Sequence, residues 1–299
     1  MSATSASVGE TVTTQIATAG TPLRELDYPQ TLAAAAAIGV VGGIVATTYY
    51  VMLEGFMHVV WHTLPEQLAP YFTESFPATN YVWIAASLGG LLVGLTIYWM
   101  GLPGEVALVV EKVHDPGYID IRQTPAMVVA SLFSIVAGGS AGPEAPLVQV
   151  NGSMGGWAAQ KLSLTQRTTR IFTFCGMAAA LGAFFGAPLG GALFALEIPH
   201  RRGLEYYEAL IPATLAAILS FVVFRLTTGL SIGGMYHFTS IPPLTLVNLA
   251  QGAVLGAIGA ATAALFVLVF RIVDWLTSSL EHRTILLATL GGLSIGLIA

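Results

Sequence analysis

One carboxylate, Glu144, stands inside the glycine- and proline-rich stretch Gly138–Gly156 (GGSAGPEAPLVQVNGSMGG), which interrupts otherwise apolar sequence. Between residues 125 and 198 the other Asp, Glu, Lys and Arg residues are Lys161, Arg167, Arg170 and Glu197. An ionised side chain at membrane depth costs at least ~2.5 kcal/mol, so such a group lines a water-filled path or pairs with something. Gly142-Pro143 breaks a preceding helix, whereas Pro146 is tolerated in the first turn of a new one, where its missing N–H would have had no partner. The stretch therefore predicts a broken helix whose second half starts near Glu144. Irregular backbone within a bilayer persists only where it is buried in protein or lines a cavity. A half-helix N-terminus also presents free N–H groups and a partial positive charge, which favour an anion. Gly142, Pro143, Glu144, Ala145, Pro146 and Leu147 thus form a candidate anion seat, which the Glu144 carboxylate can itself occupy.

These residues resemble a known family. Gly142-Pro-Glu-Ala-Pro-Leu-Val-Gln-Val-Asn-Gly-Ser-Met-Gly155 is similar to the Gly-x-Glu-Gly-Pro-x-Val-x-x-Gly signature of CLC chloride channels and chloride/proton antiporters. The resemblance places Glu144 on the family's gating glutamate. The later stretch Gly176–Glu197, with Ala187-Pro-Leu-Gly-Gly191 ahead of an apolar run ending in Glu197, resembles the family's second motif. In antiporters of the family a second glutamate follows this one and carries protons on the inner side. Ile198 holds that position here, so the resemblance implies a channel, with chloride/proton antiport through Glu197 as the alternative. Glu197 also reads as a helix-end carboxylate paired with Arg201 and Arg202. The turn Gly101-Leu-Pro-Gly104 stands where the family has Gly-Ser-Gly-Ile-Pro-Glu, but with Gly101 near the serine position no hydroxyl is supplied. Backbone N–H groups of Gly101, Leu102, Pro103 and Gly104 would have to hold the anion there, or the segment is a tight cytoplasmic turn.

The elements that must position these residues are helices. Of 299 residues, 55% are hydrophobic and 9% charged, with a mean hydropathy of +0.76. A soluble domain carries about a quarter charged residues, so the chain is expected to be an all-α polytopic membrane protein. Residues 1–30 predict a mobile cytoplasmic tail, and 31–299 one transmembrane domain. Apolar segments are expected from Thr31 to about Leu53, Tyr81 to Met100, Tyr206 to Leu226, Leu246 to Val273, and from Thr284 onward. Glu54–Asn80, with three Glu and neither Lys nor Arg, is expected outside the cell, leaving the N-terminus cytoplasmic. Residues Glu111–Thr124 predict an aqueous connection. Small residues four apart (Gly152, Gly156; Gly182, Gly186, Gly190; Gly252, Gly256, Ala260) predict close helix crossings. The lone cysteine, Cys175, excludes an internal disulfide and is expected to be buried packing. The resemblance implies an inverted-repeat architecture, a first half to about residue 230 and an incomplete second half, a truncated chain, and a homodimer with one pore per subunit in the cell membrane.

Other functions have weaker residue support. His58 and His62 lie four apart, but His-Val-Val-Trp-His lacks the glutamate of a zinc protease, and no Gly-x-Ser-x-Gly stretch stands out as a nucleophile elbow. No enzyme, metal or cofactor is therefore expected. No basic cluster suggests nucleic acid, so the expected partners are a small anion and membrane lipid. A proton-coupled transporter using Glu144 and Glu197 as a relay is the remaining rival.

Overall fold

The structure is a computed structural model that describes residues 23–72, 79–102, 112–113, 117–199, 206–230, 245–280 and 282–299. Among them the regular elements are helices, and five are long and apolar enough to cross a membrane. Helix α1 spans Tyr28–His58, with Asp27 before it and Pro29 in its first turn. It runs on through a π-turn, Val59–Thr63, a short α2, Leu64–Leu68, and a 3-10 turn, Ala69–Tyr71. The helix expected to end at about Leu53 is thus a correction: the chain stays helical to Tyr71. Pro65 and Pro70 have no N–H to offer the preceding turn, but the π-turn Val59–Thr63 and the 3-10 turn Ala69–Tyr71 take up the change in hydrogen bonding, so neither proline stops the helix.

Helix α3 spans Thr79–Met100, α4 Thr124–Val136, α5 Glu144–Lys161, α6 Gln166–Phe185, α7 Pro188–Glu197, α8 Leu210–Thr228, α9 Leu246–Thr277 and α10 Thr284–Ile298. The 10 residues of α7 rise only about 15 Å, half the thickness of a hydrocarbon core. Helix α6 lies at the centre, its Phe172, Phe174, Cys175, Met177 and Ala178 buried among α1, α5, α7 and α8. Cys175 is buried as expected.

Small residues make these crossings possible. A side chain on Gly155 would meet the Phe172 carbonyl, one on Gly39 the Ala216 backbone, and one on Gly182 the Ala217 methyl. Helix α10 docks on α3 through Gly90, Gly94, Gly292 and Gly296, each against backbone atoms of its partner helix. Three expected packing positions behave otherwise. Gly186 takes a left-handed conformation (φ 66°) that ends α6 and starts the turn into α7. Gly252 and Gly256 have open space beside them, because α9 is exposed along its whole length.

The two ends of the bundle differ in charge. The Arg24 amide donates to the Ser163 carbonyl, and Arg167 lies 4.0 Å from Glu25 and 3.4 Å from Glu208, so the start of α1 shares an end with Lys161. These ion pairs are exposed and contribute little energy. At the other end, near Glu144, the Trp61 indole donates to the Val136 carbonyl at 2.7 Å and the Tyr81 hydroxyl to the Val60 carbonyl. Trp and Tyr with a polar tip and an apolar body suit a membrane interface.

Candidate functional site

Helix α4 ends in a tight reversal. The Gly138 amide donates to Ile135 and the Gly139 amide to Ser134, with Gly138 at φ 91°, a left-handed backbone that glycine adopts without a steric penalty. Four residues later Pro143 (φ −77°, ψ 0°) occupies the N-cap position and Glu144 is the first residue of α5. The broken helix therefore starts at the residue expected from the sequence.

The local hydrogen bonds decide which groups can face an anion. Pro143 and Pro146 have no N–H, and the Leu147 amide donates to the Pro143 carbonyl at 3.1 Å. Pro146 and Leu147 are also fully buried. Among residues 142–147 this leaves the N–H groups of Gly142, Glu144 and Ala145, with no protein acceptor among the described hydrogen bonds. Glu144 is half-buried, and its carboxylate curls back over Gly142: a Cβ built there would overlap Glu144 Oε2. The carboxylate thus covers the open end of its own helix.

Gly142 has an ordinary backbone conformation, so alanine is permitted there and the clash falls on a movable side chain. Gly142→Ala is expected to push the Glu144 carboxylate outward while leaving α5 folded, raising anion flux at neutral pH several-fold. Flux equal to wild type in liposomes, with Gly142→Ala shown to be folded, would disconnect the folded-back carboxylate from gating.

The remaining sequence candidates are more scattered. Gly101 (φ 88°) donates its amide to Ile97 at 2.9 Å, so that N–H ends α3, and Leu102 is exposed. Pro103 and Gly104 lie outside the described residues, as do Glu111, Arg201 and Arg202. Glu197 is exposed at the end of α7, and no described hydrogen bond or ion pair joins it to Glu144. Ile198 packs against the main apolar core. His58 and His62 stack at 5.3 Å near Trp61, and among the described residues no group of three His, Cys, Asp or Glu could hold a metal.

Sequence reasoning missed several polar groups around α5. The Tyr49 hydroxyl of α1 pairs with Ser131 of α4 at 2.9 Å and lies within electrostatic reach of Glu144. Gln149 and Asn151 are both buried. Their amide character within an apolar helix was the available signal, but only tertiary contacts show which partners they lack.

Comparison with known proteins agrees with this architecture. The sequence model described as voltage gated chloride channel matches residues 89–299, well over half of the chain. A "Chloride/fluoride channel protein" of Pseudomonas syringae pv. tomato is 31% identical over 142 residues, 46% of this chain and 31% of that protein. Among solved structures, a slow cyanobacterial Cl−/H+ antiporter superposes with a TM-score of 0.76 at 23% identity, covering 91% of this chain and 64% of that one. A CLC-type fluoride/proton antiporter gives 0.73 at 22%, covering 92% of this chain and 66% of that one. The chain therefore spans less than two thirds of the length of each of these proteins. A helical bundle with five candidate spans, a helix broken at Glu144 and a matching sequence model together show that this multi-pass membrane chain belongs to the CLC family, the family of voltage gated chloride channels.

Proposed function

We propose that the protein passes chloride or a similar small anion across the cell membrane, with Glu144 as the gate. The observation that carries this is the carboxylate folded over an open helix N-terminus. Its charge occupies the place where the N–H groups of Gly142, Glu144 and Ala145 would replace part of an anion's hydration shell. Ionised Glu144 competes with the anion, and protonated Glu144 swings away and admits it. Arg24, Lys161 and Arg167 at one end of the bundle support a cytoplasmic N-terminus. A homodimer with one pore per subunit is the assembly the family resemblance implies.

Passive conduction is the first reading, because Ile198 packs against the apolar core and cannot carry a proton. Coupled anion/proton exchange is the second, favoured by the names of the two superposed structures, both antiporters. The test is anion efflux from liposomes holding the purified protein, with external pH recorded alongside. Anion efflux without coupled proton movement is the expected result. Protons moving oppositely at a fixed ratio would establish exchange, and no anion flux at all would overturn the proposal.

A further inference from the structure

The α4–α5 seam holds a file of polar groups that an anion seat does not need. Thr124 and Ser153 are both buried, and their hydroxyls pair at 2.8 Å. That bond sets the register of the α4–α5 hairpin, in which the helices run in opposite directions. One turn from Ser153 toward Glu144 lies Gln149, level with Val128. One more turn reaches Ala145, level with Ser131, whose hydroxyl meets Tyr49 at 2.9 Å and the Val128 carbonyl at 2.9 Å. Gln149 is 1% exposed, and neither atom of its carboxamide finds a hydrogen-bond partner among the described residues. Leaving a buried donor and a buried acceptor both unpaired is costly. Water satisfies such groups where two or more polar neighbours converge. At the far end, Gln123 precedes Thr124 and accepts from Lys112 Nζ at 2.6 Å, beside Asp120 and Arg122.

We infer that the α4–α5 seam is a hydrated proton path that joins Glu144 to the Lys112 end of the bundle through Gln149, by a route separate from Glu197 and Ile198. From Glu144 to Ser153 is nine residues of helix, or about 14 Å, close to half of a hydrocarbon core. Water held by the Gln149 carboxamide bridges the Tyr49–Ser131 pair to the Ser153–Thr124 pair. Gln149 orients that water and takes no proton itself. A proton taken up at the Lys112 end is matched by one delivered to Glu144: each oxygen forms one O–H bond as it gives up another, and the hydroxyls then turn back. Of the elements packed on α5, α1 holds Tyr49 within electrostatic reach of Glu144, the turn Ile121–Gln123 carries Arg122 at the Lys112 end, and α4 carries no ionisable residue. Arg167, Arg170 and Cys175 of α6 lie in the half remote from Glu144.

Asn151 supplies the control. It is as buried as Gln149 and equally unpaired, but it faces Gly42 of α1, where a Cβ would stand 3.6 Å from its Oδ1. It lies outside the seam.

The inference rests on Glu144 being protonated in use, so the test reads that protonation directly. The Glu144 carboxyl band is followed by difference infrared spectroscopy after acidification of the Lys112 side of oriented proteoliposomes, and is identified by its loss in Glu144→Gln. Gln149→Leu is expected to slow its appearance at least tenfold, to leave the response to acid on the Trp61 side unchanged, and to preserve anion flux at constant pH. Asn151→Ala is expected to leave the rate unchanged. Thr124→Val, which keeps shape and removes a hydroxyl, is expected to slow it as well and serves if Gln149→Leu does not fold. A wild-type rate in folded Gln149→Leu or Thr124→Val would overturn the path, as would equal slowing by Asn151→Ala. Absence of anion flux with these band kinetics intact would sink the transport reading and leave the path standing.

Discussion

Glu144→Gln is expected to raise anion flux at neutral pH by about tenfold or more and to remove its dependence on pH. Glutamine keeps the shape of the side chain and stays neutral throughout the accessible range. In the structure the carboxylate lies back over Gly142, beside the three N–H groups left without acceptors at the start of α5. A negative charge at a partly buried helix N-terminus is stabilised by up to about 2 kcal/mol, and about 1.4 kcal/mol is a factor of ten in occupancy. Removing the charge therefore weakens the gate's hold on the seat by roughly one order of magnitude, while the anion's own interactions there are unchanged. The measurement is liposome efflux across a pH series, wild type against Glu144→Gln. If Glu144→Gln retains the wild-type pH response, Glu144 is not the gate.

Gly176→Val is expected to have the largest effect on the fold. Gly176 sits where α6 crosses α5, and a Cβ there would overlap the Asn151 carbonyl and lie 2.5 Å from its carbon. The obstacle is backbone on a buried helix, which no rotamer change can move. Overpacking of this kind costs about 1–3 kcal/mol and sometimes more, and here it pries apart the helix that carries Glu144. Thermal unfolding in detergent should show a fall of several degrees or loss of the monodisperse species. Gly55→Ala is the counterpart: nothing lies within 4 Å of its Cβ position on α1. There the gain in helix propensity, about 0.5–1 kcal/mol, is expected to be kept. A wild-type melting temperature for Gly176→Val would mean that α5 and α6 are not packed as closely as the structure shows.

The sequence by itself determined the helical membrane class, the helix starts at Glu144, Leu246 and Thr284, and the break in the chain just ahead of Glu144. Each of these depends on local terms: apolar run length, and proline or glycine within a few residues of an end. The same local logic ended the first helix too early, at about Leu53. The helix continued because an exposed glutamate costs it nothing and a π-turn and a 3-10 turn accommodate the two prolines.

Only the tertiary structure decided the rest, because it concerns groups far apart along the chain. Gly101 looked like part of an anion seat until its N–H proved to be spent on Ile97. The six-residue seat reduced to three N–H groups once Leu147 was seen to bond back to Pro143. Gly252 and Gly182 look alike in sequence, yet Gly182 meets Ala217 and Gly252 meets nothing. Gln149 became notable only when its buried carboxamide was found without partners. Helix ends are set by side chains a few residues away, whereas the satisfaction of a buried polar group depends on which helices converge on it, and that follows from the packing of the whole bundle.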